Sequence, residues 1–313
     1  MMFTENPQTP LNEIIDSRLH NSKIKLFIKR EDLIDPYISG NKWFKLKYNL
    51  IEARKLGYDK LLTFGGAYSN HIYSTAAAGK LFGFETIGVI RGEEHLPLNP
   101  TLSFAKSCGM KFHYLDRKSY RNKYDEKNIE QLKYEYGKFY LIPEGGSNQL
   151  AVKGCAEIIP RINIQFDFVC AACGTGGTLA GIILGLDSHA SAIGFSVLKG
   201  GDFLNDNIKN FLSRFGKQNL SNWNINLDYH FGGYAKVSKQ LLDFCSDFKT
   251  QHKIEIEPIY TGKMLFGIFD LIKKNYFPAN SVIVVIHSGG LQGLKGLEQR
   301  GLLNNLNHIS KEQ

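Results

Sequence analysis

The stretch Ser39-Gly40-Asn41-Lys42-Trp43-Phe44-Lys45-Leu46 decides how this chain is organised. It follows a strand-like apolar run at residues 24–30, and its Ser-Gly-Asn turn leads directly into a helical pattern. The order of these segments predicts that Lys42 lies in the first turn of a helix at the carboxyl end of a strand, where α/β proteins place chemistry. A lysine amine attacks carbonyl compounds when burial or a neighbouring cation lowers its pKa. On this stretch alone, an ordinary solvated lysine is the simpler interpretation.

Length and composition indicate a globular protein. With 313 residues, 43% hydrophobic and 22% charged, the chain can form one large domain or two, and disordered and fibrous classes are excluded. The sequence has no run of roughly 18–20 apolar residues that could cross a membrane. Its first residues lack a basic segment followed by an apolar one. We therefore expect a cytoplasmic protein with no membrane partner.

The charges and cysteines exclude two further classes. The formal net charge is +8, but the 38 Lys and Arg residues are scattered and no nucleic-acid-binding motif is present, so we expect no nucleic-acid partner. Five cysteines spread over a long chain do not indicate a disulfide framework. Cys170 and Cys173 have C-x-x-C spacing, yet no second pair or nearby histidines complete a metal site. We interpret Cys170 as the end of a buried strand and Cys173 as the beginning of a turn.

Strand-like and helix-like segments alternate along the chain, which predicts parallel sheets covered by helices. Residues 117–136 are expected to form one polar, exposed helix. Glycine-rich loops follow five strand-like segments, at residues 65–71, 143–148, 174–178, 260–263 and 287–290. Because the carboxyl ends of parallel strands share one edge of a sheet, we expect these loops to converge on one cleft.

The loop Gly174-Thr175-Gly176-Gly177-Thr178 has the composition of a phosphate site. Its glycines let backbone N–H groups surround an anion at a helix N-terminus, and its threonines add hydroxyl donors. A dinucleotide fingerprint is excluded because its third glycine would fall at Leu179, and no Gly-Lys-Ser/Thr sequence completes a P-loop. A tight turn that needs glycine for backbone reasons remains the structural alternative.

Together these motifs resemble the 1-aminocyclopropane-1-carboxylate deaminase/D-cysteine desulfhydrase family. The matching motifs span residues 23–296 in family order and comprise Asn41-Lys42 with Lys45-Leu46, Gly65-Gly66 with Ser69-Asn70-His71, and the loops at 143–148, 174–178, 260–263 and 288–290. The resemblance implies pyridoxal 5'-phosphate (PLP) as cofactor and the tryptophan-synthase-β-like fold, PLP fold type II. It also implies two three-layer α/β/α domains with mostly parallel sheets. A smaller domain at residues 45–150 would be inserted into a larger PLP-binding domain formed by 1–44 and 151–313.

The same resemblance implies a cofactor site. Lys42 would bind PLP covalently, and Asn70 would hydrogen-bond its phenolic oxygen. Lys45 would lie near the phosphate or assist proton transfer, and Ser288 would approach the pyridine nitrogen. The residues that would hold the phosphate are Gly174, Thr175, Gly176, Gly177 and Thr178.

The resemblance further implies catalytic and substrate-binding residues. Lys42, Ser69 and Tyr260 would be catalytic, with Ser69 as a nucleophile or proton-handling hydroxyl and Tyr260 also packed against the cofactor ring. Ser69, Asn70 and His71 would contact the substrate. From the residues alone, Ser69 could equally be a helix cap and His71 a histidine satisfied within its helix.

Several positions bear on the reaction. Members that open a cyclopropane ring carry Glu directly after the tyrosine and an apolar residue at the position of Ser288. This chain has Thr261 after its tyrosine, which favours the desulfhydrase branch, as does His71. Trp43-Phe44 replaces a small residue followed by Arg, and Tyr73 stands where Arg is usual. Positive charges that could bind a substrate carboxylate are therefore missing.

The resemblance predicts a PLP-dependent lyase that acts on a small amino acid. D-Cysteine desulfhydrase-like β-elimination would yield pyruvate, ammonia and hydrogen sulfide, and the enzyme would be a homodimer. One alternative is 1-aminocyclopropane-1-carboxylate deaminase, which gives 2-oxobutanoate and ammonia. Others are a PLP-binding protein without lyase activity and, on the glycine loop alone, a nucleotide-binding α/β protein without PLP.

Overall fold

The computed structural model describes residues 7–186 and 190–303. The strands are β1 (Leu11–Glu13), β2 (Lys25–Lys29), β3 (Lys60–Gly66), β4 (Glu85–Arg91), β5 (Lys111–Leu115), β6 (Tyr140–Ile142), β7 (Phe168–Cys173), β8 (Ser191–Ser196), β9 (Trp223–Asn226) and β10 (Val282–Ile286). The helices are α1 (Asn41–Lys55), α2 (Asn70–Phe82), α3 (Pro100–Ser107), α4 (Arg117–Arg121), α5 (Glu126–Tyr136), α6 (Gln149–Ala156), α7 (Gly177–Gly185), α8 (Phe203–Ser213), α9 (Lys239–His252), α10 (Thr261–Lys273) and α11 (Gly293–Gln299).

The described strands form two sheets. A six-stranded sheet has the order β1-β2-β10-β7-β8-β9, in which the β1–β2 pair is antiparallel and the other pairs are parallel. A four-stranded sheet has the order β5-β4-β3-β6 and is parallel throughout. The predicted α/β class with mostly parallel sheets is confirmed. The four-stranded sheet takes its strands from residues 60–142, whereas the domain boundaries at residues 44 and 150 stay a prediction.

The six-stranded sheet is buried on both faces. Along β7, Val169, Ala171 and Cys173 join the core on one face, while Cys170 and Ala172 join the core on the other. Alternation of this kind follows from the two-residue period of a strand. The expectation that Cys170 ends the strand and Cys173 begins a turn is wrong, because β7 continues through Cys173 in register with β8. The two cysteines face opposite cores and cannot act as a pair.

Helix α1 carries two residues that depart from the family pattern, and both are core residues. Trp43 and Phe44 are buried, and a Cβ atom on Gly154 would lie 2.0 Å from the Phe44 carbonyl oxygen, so α1 and α6 approach closely. Bulky apolar side chains at these positions contribute to packing. The Arg161 guanidinium lies over the Phe44 ring, 5.5 Å from its centroid.

Residues 117–136 form two helices, α4 and α5, and not the single exposed helix expected. Tyr120 and Leu132 pack into the core on one face of the four-stranded sheet. Asn122 ends α4 in a non-helical conformation, and Asp125 stands in an extended conformation before α5. Each helix buries one side chain that its polar composition did not predict.

Two further findings concern the described residues as a whole. Within residues 7–186 and 190–303, none of the helices has the length and apolar character that crossing a bilayer requires. The same residues contain no group of three or more His, Cys, Asp or Glu side chains placed to hold a metal ion. All five cysteines are free thiols.

Candidate active site

Four of the five glycine-rich loops follow strands, namely β3, β6, β7 and β10, and converge on one cavity. The loop at residues 260–263 borders the same cavity, but the expectation that it follows a strand is wrong: among the described residues it comes after α9 and forms the start of α10. Among the predicted residues, its lining includes Lys42, Lys45, Ser69, Asn70, His71, Gly174, Thr175, Gly176, Thr178, Tyr260 and Ser288. The structure describes all of the predicted site residues, and of these Gly177 alone is not part of the lining. The cavity therefore joins residues that are up to about 250 positions apart, because the carboxyl ends of strands from both sheets face it and the start of α10 completes its wall.

Lys42 lies in the first turn of α1, as predicted. The residue before that helix, Gly40, has φ 64°, a conformation that disfavours side chains. A Cβ atom on Gly40 would lie 1.9 Å from the carbonyl oxygen of Ser288, just after β10. Only glycine lets the start of α1 approach the end of β10 this closely, and that approach sets Lys42 on the cavity wall.

The amine of Lys42 has a depressed pKa. Burial and, secondarily, the charge of Lys45 lower the pKa of Lys42 from 10.5 to about 7. Its Nζ donates to Asn41 Oδ1 at 3.0 Å, and Asn41 Nδ2 donates to Thr178 Oγ1 at 2.8 Å. The Lys42 residue is half-buried and lines the cavity, and desolvation of its amine there is the main cause of the low pKa. A neutral, nucleophilic amine is therefore accessible near neutral pH.

Lys45 links two of the loops. Its Nζ donates to the Gly145 carbonyl oxygen at 2.9 Å and to Ser147 Oγ at 2.8 Å. Ser147 Oγ in turn shares a 2.5 Å hydrogen bond with Thr175 Oγ1. Burial lowers the pKa of Lys45 as well. The side chain thus fixes the 143–148 loop against the 174–178 loop and places a cationic group beside the latter.

The N-terminus of α7 borders the cavity. No side chain within residues 7–186 and 190–303 caps it, and its N-cap residue Gly176 has φ 83°. Unpaired first-turn N–H groups and the helix dipole favour an anion there. A Cβ atom on Gly174 would lie 3.3 Å from the Tyr260 ring, and one on Gly177 would lie 2.8 Å from Ser147 Oγ. The missing side chains leave the backbone of this turn open to a ligand.

Ser69 is the N-cap of α2. Its Oγ accepts from the backbone N–H groups of His71 at 3.2 Å and Ile72 at 3.3 Å. The hydroxyl oxygen therefore accepts two hydrogen bonds, while its hydrogen has no acceptor within residues 7–186 and 190–303. Toward a ligand in the cavity, Ser69 can act as a hydrogen-bond donor without disturbing the helix cap.

His71 is neutral and has one defined tautomer. Thr63 Oγ1 donates its single proton to the Ile142 carbonyl oxygen at 2.8 Å, so it must accept from His71 Nε2, also at 2.8 Å. Nδ1 then carries a bare lone pair, with no partner among the described residues. Burial, with Lys42 and Lys45, lowers the pKa of His71 well below 6.5. This imidazole supplies no positive charge to a substrate carboxylate.

The orientation of the Asn70 side chain is held by a residue that the sequence did not predict. Gln292 Nε2 donates to Asn70 Oδ1 at 2.9 Å. On the other side of the amide, a Cβ atom on Gly290 would lie 2.8 Å from Asn70 Nδ2. Proximity to the predicted Gly289-Gly290 turn was the sequence signal that could have identified Gln292.

Tyr260 lines the cavity beside Gly174 and is fixed by a buried carboxylate. Glu257 accepts from the backbone N–H groups of Ile259, Tyr260 and Thr261 at 2.7–3.1 Å. Burial nevertheless raises the pKa of Glu257 to about 7. Burial and then the neighbouring Tyr234 raise the pKa of Tyr260 well above its usual value. The phenol is therefore protonated at neutral pH.

Tyr234 also lines the cavity and was not predicted. Its ring lies 5.9 Å from that of Tyr260 at an interplanar angle of 70°. The Gly232-Gly233-Tyr234 run was the available signal. By contrast, Tyr73, where the family carries Arg, does not line the cavity and instead stacks on Phe104 at 3.9 Å.

Comparisons with known proteins agree with this geometry. The profile of the family described as "Pyridoxal-phosphate dependent enzyme" matches residues 3–289. A Pyrococcus horikoshii protein described as "Putative 1-aminocyclopropane-1-carboxylate deaminase" is 33% identical over 86% of this chain and 85% of its own length. An Arabidopsis thaliana protein described as bifunctional D-cysteine desulfhydrase/1-aminocyclopropane-1-carboxylate deaminase, mitochondrial, is 30% identical over 86% of this chain and 73% of its own length.

A solved structure is similar over nearly the whole chain. The crystal structure of a homologue of the same deaminase has a TM-score of 0.83 and 31% identity, covering 95% of this chain and 94% of its own. This similarity confirms the predicted fold.

Proposed function

We infer that this chain, which belongs to the pyridoxal-phosphate dependent enzyme family, is a lyase that eliminates the β-substituent of a small amino acid. The substrate we propose is D-cysteine, converted with water to pyruvate, ammonia and hydrogen sulfide. The observation that carries the proposal is one cavity that holds the Lys42 amine, with its pKa of about 7, and the uncapped N-terminus of α7. The Arabidopsis relative is named for the same reaction.

The residues of the cavity fit PLP. Lys42 would hold the cofactor covalently, and the turn of Gly174, Thr175, Gly176, Gly177 and Thr178 would hold its phosphate. Asn70 would meet the phenolic oxygen and Ser288 the pyridine nitrogen. The fit is supported by the open backbone at Gly174, where a side chain would meet Tyr260. When bound, PLP withdraws electrons from the α-carbon of an amino acid and makes its hydrogen acidic.

Side chains of this protein can accept and donate the protons that the reaction transfers. The Lys42 amine, with a pKa of about 7, can take a proton from an α-carbon and return it to a leaving or product atom. The Ser69 hydroxyl has only its hydrogen free, which supports a donor role over a nucleophilic one. Tyr260, which stays protonated, can likewise donate.

Ring opening of 1-aminocyclopropane-1-carboxylate is the second candidate function. The name of the Pyrococcus relative favours it. Two residues favour β-elimination instead: Thr261 offers no carboxylate after Tyr260, and Ser288 places a hydroxyl where ring-opening members carry an apolar side chain.

The deciding experiment gives the cofactor-loaded protein D-cysteine, L-cysteine and 1-aminocyclopropane-1-carboxylate in one ammonia-release assay, with sulfide measured in parallel. We expect ammonia and sulfide in equal amounts from D-cysteine. Turnover of the cyclopropane substrate alone would overturn the proposal in favour of the deaminase. A loaded protein silent on these substrates and on a wider panel of D- and L-amino acids would instead be a cofactor-binding protein without lyase activity.

We further propose that the enzyme is a cytoplasmic homodimer, as the family resemblance implies. Light scattering after size exclusion should then give twice the chain mass of 35.3 kDa. A particle of single-chain mass would contradict the proposal.

A further inference from the structure

Lys263 is a fully buried lysine that the proposed chemistry does not use. Its Nζ donates to the carbonyl oxygens of His230 at 2.9 Å and Gly233 at 2.8 Å. Exposed lysines such as Lys239 and Lys274 pair with aspartates, whereas Lys263 is bound among the described residues by carbonyl oxygens alone. Burial lowers its pKa to about 8, and a buried cation costs free energy that its two hydrogen bonds to carbonyl groups must offset.

The segment that Lys263 binds has a strained backbone. We call residues 229–236 the tyrosine loop because Tyr234 lies in it. Within it, φ is positive at Phe231 (52°), Gly232 (90°), Gly233 (121°) and Ala235 (54°). A left-handed conformation costs a non-glycine residue roughly 1–2 kcal/mol. Such a loop keeps its shape only if surrounding contacts determine it.

Those contacts come from one face of α10. The residues concerned recur at helical spacing and are Lys263, Phe266, Gly267 and Asp270. The Phe266 ring lies 5.1 Å from that of Phe231, and Asp270 Oδ2 accepts from the Tyr229 hydroxyl at 2.6 Å. Gly267 leaves room for Tyr229, whose ring a Cβ atom there would approach to 2.8 Å. Aromatic contacts and the Asp270 bond hold the beginning of the loop, and Lys263 holds its middle.

Tyr234 follows directly after the carbonyl groups that Lys263 binds. It is 41% exposed, so it lies at the mouth of the cavity, and its ring meets Tyr260 edge-on. The helix that begins after Tyr260 therefore also fixes the loop that carries Tyr234. We propose that Lys263 is a positioning residue, which holds the tyrosine loop over the cavity and so sets where Tyr234 lies against Tyr260.

The test compares Lys263→Met with Lys273→Met, an exposed lysine of the same helix, in the cofactor-loaded protein. Hydrogen–deuterium exchange at the amides of residues 231–235 should be at least about tenfold faster in Lys263→Met, while α10 itself exchanges as in the wild type. Lys273→Met should match the wild type. The result needs no substrate, so it decides the positioning proposal even if the proposed function fails.

Activity supplies the second measurement, and this part rests on the proposed function. With D-cysteine, Lys263→Met should keep the visible absorbance of bound cofactor and lose at least about fivefold in kcat. Unchanged exchange at residues 231–235 would overturn the proposal, as would faster exchange spread along all of α10. Faster exchange at residues 231–235 with unchanged kcat would refute the proposal that the position of Tyr234 affects turnover.

A second variant covers the outcome in which Lys263→Met does not fold. Lys263→Gln keeps two N–H donors on a side chain that is one bond shorter and cannot reach both carbonyl groups. It should fold and exchange about threefold faster than the wild type at residues 231–235. Wild-type exchange in this variant would overturn the proposal.

Discussion

Two parts of the cavity wall hold their charged groups differently: the part around Lys42 and Lys45, which we call the lysine end, and the part around Tyr260 and Tyr234, which we call the tyrosine end. At the lysine end, Lys42 and Lys45 point into the cavity beside the uncapped turn of α7. At the tyrosine end, the ionisable groups Glu257 and Lys263 lie behind the cavity wall and bind backbone groups. Charge at the lysine end tunes reactivity, whereas charge at the tyrosine end fixes position. Changes at the lysine end should therefore abolish cofactor attachment, and changes at the tyrosine end should slow turnover with the cofactor in place.

The strongest test of this contrast is Lys42→Ala. Without the amine, the covalent attachment of PLP should be lost, and turnover should fall by at least about 1,000-fold. Visible absorbance of the purified protein and ammonia release measure the two effects. Lys55→Ala, an exposed lysine at the end of the same helix, serves as the control and should behave as the wild type. Retained absorbance in Lys42→Ala would assign the attachment to another lysine.

At the tyrosine end, Tyr260→Phe removes only a hydroxyl. Because the ring remains packed and Glu257 still binds the backbone, cofactor absorbance should persist while kcat falls about 100-fold, the usual range for a lost proton donor. Steady-state kinetics and absorbance of the same sample measure both. Tyr276→Phe, at an exposed tyrosine, is the matched control. Loss of the cofactor from Tyr260→Phe would show that the tyrosine end, too, is needed for cofactor attachment, and would contradict the contrast between the two ends.

The smallest expected effect is on the pH dependence of cofactor loading. Burial lowers the pKa of Lys42 to about 7, so below that pH the amine is protonated and cannot attack. The rate at which apoprotein takes up PLP should fall about tenfold per pH unit below 7 and level off above it. Free lysine mixed with PLP over the same pH range corrects for titration of the cofactor. A rate that keeps rising towards pH 10 would show an ordinary amine.

The lysine end was largely predictable from sequence because its geometry is local. A turn, a helix start and a glycine run each fix their own backbone, and the strands of the two sheets then bring them together. Lys42, Asn70 and Thr175 thus lie on the cavity wall where the motifs suggested. Their roles toward a cofactor stay predictions until the loading experiments are done.

The missed features depend on contacts between distant segments. Tyr234 reaches the cavity because α10 holds its loop. No local sequence pattern predicts the contact between α10 and that loop. Similarly, the neutral state of His71 depends on Thr63 and on the Ile142 carbonyl group, 79 residues beyond Thr63. Tertiary packing determines the placement of Tyr234 and the protonation of His71, as it determines the burial of Trp43. Pattern and composition carry little information about such pairs.

The fit of Gly40 against Ser288 also has a consequence for the order in which the protein is assembled during translation. Strand β10 lies between β2 and β7 in the six-stranded sheet, so the ribosome completes a central strand of that sheet only after residue 286. Until then, the beginning of α1 lacks the surface against which Gly40 rests. Since domains fold as units during synthesis, the four-stranded sheet can form early. The segment around Lys42 can take its final position only after β10 has been synthesised.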